Sequence, residues 1–298
     1  MELRIIRYFL AVAEEESISR AADILHLTQP TLSKQLKELE DELGAKLLFR
    51  GNRGVTLTDK GHLFRKRAQE LVDLADKTAL EFASSDNEVS GEIYFGCGET
   101  DAFRLIAKTA IDFSKRYPAV KYNLFSGNAD DVTEKLDKGL LDFGVLIGFV
   151  NPSKYDYIKF PITDAWGLLS STSSPLAALD CIRPSDLRGV PLIVSKQAHR
   201  RNELRDWLCE ETNSLNIIAF YNLIFNAAMM VKEGLGNALC LERLVDTSVG
   251  SELCFIPFSP KLESEIYLVW RRYQALSEAA KRFLDCLQAA WDVKGMSQ

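Results

Sequence analysis

Four leucines, Leu32, Leu36, Leu39 and Leu43, recur at spacings of 4, 3 and 4 and predict a helix over residues 31–43 with one apolar stripe facing a core. Thr28 stands where an N-cap belongs, because its hydroxyl can accept from orphan N–H groups of the first turn. Pro30 falls in that turn, where a missing N–H costs nothing, and Gly44 ends the helix. Upstream, Ser17 or Ser19 caps a shorter helix through Arg20, Ala21, Ala22, Ile24 and Leu25, whose paired alanines permit a close helix crossing; His26, Leu27 and Thr28 form the turn between the two. Downstream, Leu47, Leu48 and Phe49 read as a short buried strand, Arg50–Gly54 as a glycine-rich turn, and Val55–Leu57 as the returning strand. Two short helices, a tight turn and a hairpin in this order predict a winged helix-turn-helix.

The pattern then changes period. Thr58 or Asp59 can cap a long helix in which Phe64, Ala68, Leu71, Ala75, Thr78 and Phe82 alternate spacings of 4 and 3, the seam of a coiled coil. Ser84–Glu88 read as a hinge. From Gly91 onward, short apolar runs alternate with amphipathic helices. Strands are expected at 92–96, 120–125, 143–147, 166–170, 192–195, 217–221, 238–241 and 265–270. Helices are expected at 102–117, 129–138, 185–188, 202–211, 223–233 and 277–291. This is an α/β pattern with a largely parallel sheet. The chain therefore divides into 1–58, a winged helix-turn-helix; 59–88, a dimerising helix with its hinge; and 89–298, an α/β domain.

Charge sharpens the first unit. The whole chain of 298 residues carries a formal charge of −6, yet residues 28–67 hold nine Lys or Arg against five Asp or Glu, a net of +4. Gln29, Thr31, Ser33, Lys34, Gln35 and Lys37 lie on the open face of the second helix and, with Thr28 and Pro30 at its start, are the candidate DNA contacts. Their amide, hydroxyl and ammonium groups suit base edges and phosphates. Arg50 and Arg53 would take the backbone or minor groove from the wing. Double-stranded DNA is the expected partner.

These residues carry a family resemblance. The runs Phe9–Ala13, Ser17–Ala22, Leu27–Ser33, Leu39-Glu40, Leu43-Gly44, Leu47–Arg50 and Leu57–Gly61 resemble the LysR-type transcriptional regulators closely over about the first 65 residues; the remainder matches in pattern and length. Ile18 departs from the aromatic that many members place there. The resemblance implies a linker helix that pairs two DNA-binding domains, a tetramer built from two kinds of dimer contact, and an effector domain with the two-lobed fold of periplasmic solute-binding proteins. On it, lobe one is 91–161 plus 269–292 and lobe two is 162–268.

Ligands of open α/β sheets bind beyond the carboxyl ends of the strands. That rule selects the loops Cys97-Gly98-Glu99-Thr100-Asp101, Ser126-Gly127-Asn128, Gly148-Phe149-Val150, Ser195-Lys196-Gln197 and Asn222-Leu223-Ile224 as effector contacts. Thr100 takes the place where family members commonly grip the effector with a hydroxyl. The helix start beside it offers N–H groups for a carboxylate, but Glu99 and Asp101 would repel an anion, so a zwitterionic, cationic or neutral effector also fits.

Other classes find little support. There is no GxSxG, GxxxxGK[ST] or HExxH motif, and Gly234–Cys240 follows a helix and precedes a strand, which makes it a C-cap turn rather than a dinucleotide loop. The six cysteines lack CxxC spacing, the three histidines are isolated, and neither a metal nor a cofactor is expected. A thiol-based redox switch at Cys97 is the sharper alternative, although Glu99 and Asp101 would raise its pKa and no second cysteine is near in sequence. No apolar run spans a bilayer and the first residues do not read as a signal peptide, so a cytoplasmic protein without a membrane partner is expected. The function expected is sequence-specific DNA binding gated by a small molecule. A homodimer or homotetramer would act on a palindromic operator, in contact with RNA polymerase.

Overall fold

A computed structural model describes residues 1–51, 54–83, 89–200, 202–208 and 215–291. It divides into two compact units, Met1–Ala83 and Ser84–Gln298. Arg53 and the stretch 84–88 expected to be a hinge lie outside the described residues, as does residue 292 at the end of lobe one.

The first unit runs α1 (Leu3–Glu15), α2 (Ile18–Ile24), α3 (Gln29–Glu42), β1 (Leu48–Gly51), β2 (Gly54–Leu57) and α4 (Asp59–Ala83). The Ser17 side chain caps α2, and Thr28 caps α3 with Pro30 in its first turn. The caps and the proline thus fix where each helix begins. Leu32, Leu36 and Leu39 are buried with Phe9, Val12, Ala21 and Ala22 in one core. Leu43 instead is 39 % exposed and Phe49 63 % exposed. The stripe ends one residue sooner because Glu40, four positions after Leu36, takes the last inward place. In β1 only Leu48 faces inward.

Thr58 starts α4. Its hydroxyl donates to Lys46 O at 2.7 Å and accepts from Gly61 N at 2.9 Å. The first residues of the expected coiled-coil seam are spent inside the unit: Phe64 meets Phe9 edge-on at 4.9 Å, and Ala68 and Val72 are buried against the same core. Ala75 is half-buried, and Leu71, Thr78 and Phe82 are exposed.

The second unit begins with β3 (Gly91–Cys97), α5 (Phe103–Arg116), β4 (Val120–Ser126), α6 (Ala129–Asp137), β5 (Phe143–Ile147) and the 17-residue β6 (Tyr155–Ser171). It continues with β7 (Pro191–Ser195), α7 (Lys196–Arg200), α8 (Asn202–Leu208), β8 (Asn216–Tyr221), α9 (Ile224–Lys232) and β9 (Asn237–Leu241). β10 (Leu253–Pro257), β11 (Glu263–Arg271) and α10 (Glu278–Ala290) close it. The strands follow the order β4-β3-β5-β11-β6-β9-β7-β8, with β10 also on β6. Within each lobe the strands are parallel: β3 with β4 and β5, and β7 with β8 and β9. The joining strands β6 and β11 are antiparallel to each other, so the sheet is mixed rather than largely parallel. β6 pairs with β11 from Tyr155 to Ala165 and with β9 from Trp166 onward, so the lobes meet inside one strand.

Each lobe has a core on both faces of its strands. In lobe one, Phe95, Phe143 and Phe283 centre one cluster, and Val132, Leu136 and Val269 another. In lobe two, Leu168, Val194 and Leu239 belong to one, and Ile193, Ala228 and Ala238 to the other. No described helix is long and apolar enough to cross a membrane.

Candidate nucleic-acid interface and effector cleft

The outer face of α3 carries the expected polar set. Gln29, Pro30, Thr31, Lys34 and Lys37 are exposed, with Ser33 and Gln35 half-buried beside them. Several of these groups already have partners. Thr28 and Thr31 join hydroxyls at 2.8 Å, Gln35 donates to Glu38 at 3.0 Å, and Lys34 approaches the same carboxylate at 3.8 Å. Glu38 thereby orders two of the candidate base-reading side chains.

Arg50 is not at the tip of the hairpin. It stands in β1, where its Nη1 donates to Ser33 Oγ at 2.7 Å and its Nη2 lies 3.7 Å from Glu40 Oε2. Glu40 is the joint between α3 and the wing. Its Oε1 accepts Leu47 N at 2.8 Å and Leu48 N at 3.1 Å, and Lys46 Nζ reaches its Oε2 at 3.3 Å. Burial disfavours the Glu40 charge, but the two N–H groups and Lys46 outweigh it and hold the carboxyl below the ordinary glutamate range. In the sequence Glu40 stands in the matching run Leu39-Glu40, and its position four after Leu36 is the signal that it faces inward.

In the second unit, a cavity of about 80 Å³ opens between the lobes. Gly98, Glu99, Gly127, Asn128 and Ile147 line it from lobe one. Ser195, Gln197, Tyr221, Asn222, Leu223, Ile224, Trp166, Leu241 and Leu244 line it from lobe two, with Ser264 of β11. Nine of the expected contacts therefore meet there: Gly98, Glu99, Gly127, Asn128, Ser195, Gln197, Asn222, Leu223 and Ile224. Cys97, Thr100, Asp101, Ser126, Gly148, Phe149, Val150 and Lys196 do not line it. Phe149 is 72 % exposed, and Lys196 belongs to the first turn of α7 rather than to a loop. Sequence reading missed the apolar wall of Ile147, Trp166, Leu241 and Leu244, since such residues carry the same signal as core.

Two hydrogen bonds cross the cleft. Ile224 N, at the start of α9, donates to Glu99 Oε2, and Ala129 N, at the start of α6, donates to Gln197 Oε1 at 2.9 Å. Thr100 is buried; its hydroxyl donates to Asp164 Oδ2 on β6 and accepts Ala102 N at 3.0 Å. The start of α5, expected to offer N–H groups to a carboxylate, instead has Phe103 N and Arg104 N bonded to the carbonyls of Thr100 and Asp101. Asp101 turns to Arg104 at 3.3 Å and Arg243 at 3.6 Å.

Burial raises the pKa of Glu99, with the Ile224 N–H opposing. Burial also raises that of Asp164 against the Thr100 hydroxyl, and the nearby Asp101 and Glu242 push the same way. Cys97 is pushed up to about 12, and the cause is burial rather than the acidic neighbours. Cys240 is likewise pushed up to about 12, chiefly by burial. The described cysteines are free thiols. Among the described residues, no three His, Cys, Asp or Glu stand together as a metal would require.

Comparison with known proteins matches both units. The family model "LysR substrate binding domain" covers residues 86–292, and "Bacterial regulatory helix-turn-helix protein, lysR family" covers residues 3–62. The uncharacterized HTH-type transcriptional regulator YfeR of Shigella flexneri is 29 % identical over 294 residues, 98 % of this chain and 92 % of that protein. Among solved structures, CbnR, a LysR family transcriptional regulator, superposes with a TM-score of 0.77 at 21 % identity, over 98 % of this chain and 99 % of CbnR. Full-length CbnR complexed with its target DNA gives 0.74 at 20 % identity, over 97 % of this chain and 100 % of that one.

Proposed function

The chain belongs to the LysR family of transcriptional regulators, and we propose from that premise how its two units divide the work. It is a DNA-binding regulator with an effector-binding domain of two lobes. In our reading α3 enters the major groove, with Gln29, Thr31, Ser33, Lys34 and Gln35 at or near base edges, and Thr28, Pro30 and Lys37 along the backbone. Arg50 and Arg53 hold phosphate or the minor groove. The observation that carries this is the Thr28-capped α3, whose leucine stripe is buried while its polar face stays exposed.

The exposed part of α4 pairs two copies, so that two α3 helices meet an inverted repeat; a homotetramer then contacts RNA polymerase. The protein works in the cytoplasm by binding rather than catalysis, without metal or cofactor. An effector between the lobes changes their relative placement, which requires different affinity for the two arrangements. The redox alternative is weakened at Cys97, whose buried thiol at about 12 has little thiolate character.

Selection of binding sequences from a random DNA pool, followed by fluorescence anisotropy, tests the reading. The expected result is an inverted repeat whose recognition is lost base-specifically in Gln35→Ala. Enrichment of no motif, or of an asymmetric one, would sink it.

A further inference from the structure

Several backbone N–H groups at the helix starts around the cleft are taken by the protein's own side chains. Thr100 Oγ1 accepts Ala102 N ahead of α5, Asn128 and Gln197 take the N–H groups of α6, and Glu99 takes Ile224 N at α9. An effector carboxylate would therefore find the N–H groups of Ala102, Ala129 and Ile224 already bonded. It would find no cation, because no Lys, Arg or His lines the cavity. Arg243, from a neighbouring turn, faces Asp101 and Glu242.

What the cavity offers is the opposite charge. Glu99 is the one carboxylate in its lining. Its Oε2 is held by Ile224 N, and among the described residues its Oε1 has no hydrogen-bond partner. A half-buried carboxylate with one oxygen unpaired is expensive to keep ionised, and a charge-assisted bond relieves that cost better than a neutral one. Around it, Ile147, Trp166, Leu241 and Leu244 present apolar surface.

We propose that the effector is a small organic cation, a protonated amine with a short apolar body. Its ammonium pairs with Glu99 Oε1, and its carbon chain lies against Trp166 and the leucines. Such a ligand leaves the Glu99–Ile224 bond in place and adds a second partner to the same carboxylate, so it ties itself to a contact that already spans both lobes. This deepens the reading of the cleft as the effector site and rests on it.

The test uses the full-length chain labelled with 5-fluorotryptophan, the Trp166 signal being identified through Trp166→Phe. Butylammonium, 1-butanol and butanoate are titrated as size-matched probes. The expected result is that butylammonium moves the Trp166 signal with at least tenfold tighter binding than butanol, and that butanoate binds most weakly. Glu99→Gln, which keeps an acceptor for Ile224 N, should bring the amine down to the level of the alcohol. In the wild-type chain the advantage of the amine should fade as acid protonates Glu99, an arm that needs no variant. Preference for butanoate, or an advantage of the amine that survives in Glu99→Gln, would overturn the proposal. If butanol binds and the amine binds no better, the proposal fails while the cleft stands; if none of the three moves Trp166, the cleft reading falls with it.

Discussion

Arg50 donates to the Ser33 hydroxyl at 2.7 Å, tying the wing strand to the middle of α3. A residue that would reach the DNA backbone is thus anchored beside one that would read bases. The two kinds of contact share a rigid element, which favours preorganisation over search.

Arg50→Ala should weaken binding to specific and random DNA alike and lower the slope of log affinity against log salt by about 0.9, the share of one phosphate contact. Ser33→Ala should leave binding to random DNA within a few-fold. Anisotropy titrations at several salt concentrations measure both. An unchanged slope in Arg50→Ala would mean that the guanidinium stays with Ser33 and Glu40 on the DNA.

Glu40→Ala strips the partner from two backbone N–H groups at the wing, those of Leu47 and Leu48. The expected loss is roughly 2–5 kcal/mol of stability, from two stranded donors. Because the folded pKa of Glu40 is depressed, its contribution is present above the ordinary glutamate pKa and fades as pH falls through the lower folded value. Urea unfolding of the wild type and Glu40→Ala across that acid range should show the two curves converging.

Asp164 runs the other way. Its folded pKa is raised, so the folded chain holds the proton more tightly, and stability falls as pH climbs from the ordinary aspartate range through the folded value. Asp164→Asn keeps a hydrogen-bonding group opposite Thr100 and removes the titration. Its stability should be flat where that of the wild type declines, measured by thermal unfolding of the second unit. Thr100→Ala should lose the effector response while sparing DNA binding. Because Thr100 lies outside the cavity lining, it would act through Asp164 and the lobe joint.

Gly61 and Gly44 should respond very differently to alanine. A Cβ on Gly61 would stand 2.1 Å from Leu47 O, a backbone atom that cannot step aside, whereas Gly44 has nothing within 4 Å and only its φ of +62° to strain. Gly61→Ala should cost about 3 kcal/mol or more, and Gly44→Ala about 1 kcal/mol. Equal melting temperatures would contradict the close approach of α4 to the wing.

Leu71→Asp with Phe82→Asp should halve the mass or reduce it further in light scattering, because both residues are exposed on α4. The circular dichroism of the chain should stay unchanged. A retained dimer would place the pairing elsewhere.

The legible parts of the fold are local ones. The Thr28 cap, Pro30 and the leucine stripe fall within a few residues of one another, so their meaning survives without tertiary context. Leu43 and Phe49 mislead because burial at the end of an element depends on where its neighbour stops. β6 reads as a strand only from Trp166, since Lys159 and Asp164 interrupt its apolar half. The carboxyl ends of the strands lead to nine residues of the cavity lining. The role of Glu99 stays hidden in sequence, because its partner Ile224 is 125 positions away. The Thr100 hydroxyl, to which the family resemblance assigns the grip on the effector, is committed to Asp164.

Lobe one borrows its last pieces from the far end of the chain: Phe95 and Phe143 pack with Phe283 of α10. Phe143 leaves the ribosome 140 residues before Phe283 does. At about 5–20 residues per second this face waits on the order of ten seconds for its cover. The core of the first unit needs nothing beyond Val72. Each new molecule therefore passes through a period in which its DNA-reading part is complete and its gate is not, and the order of synthesis makes the gate the later acquisition in every copy.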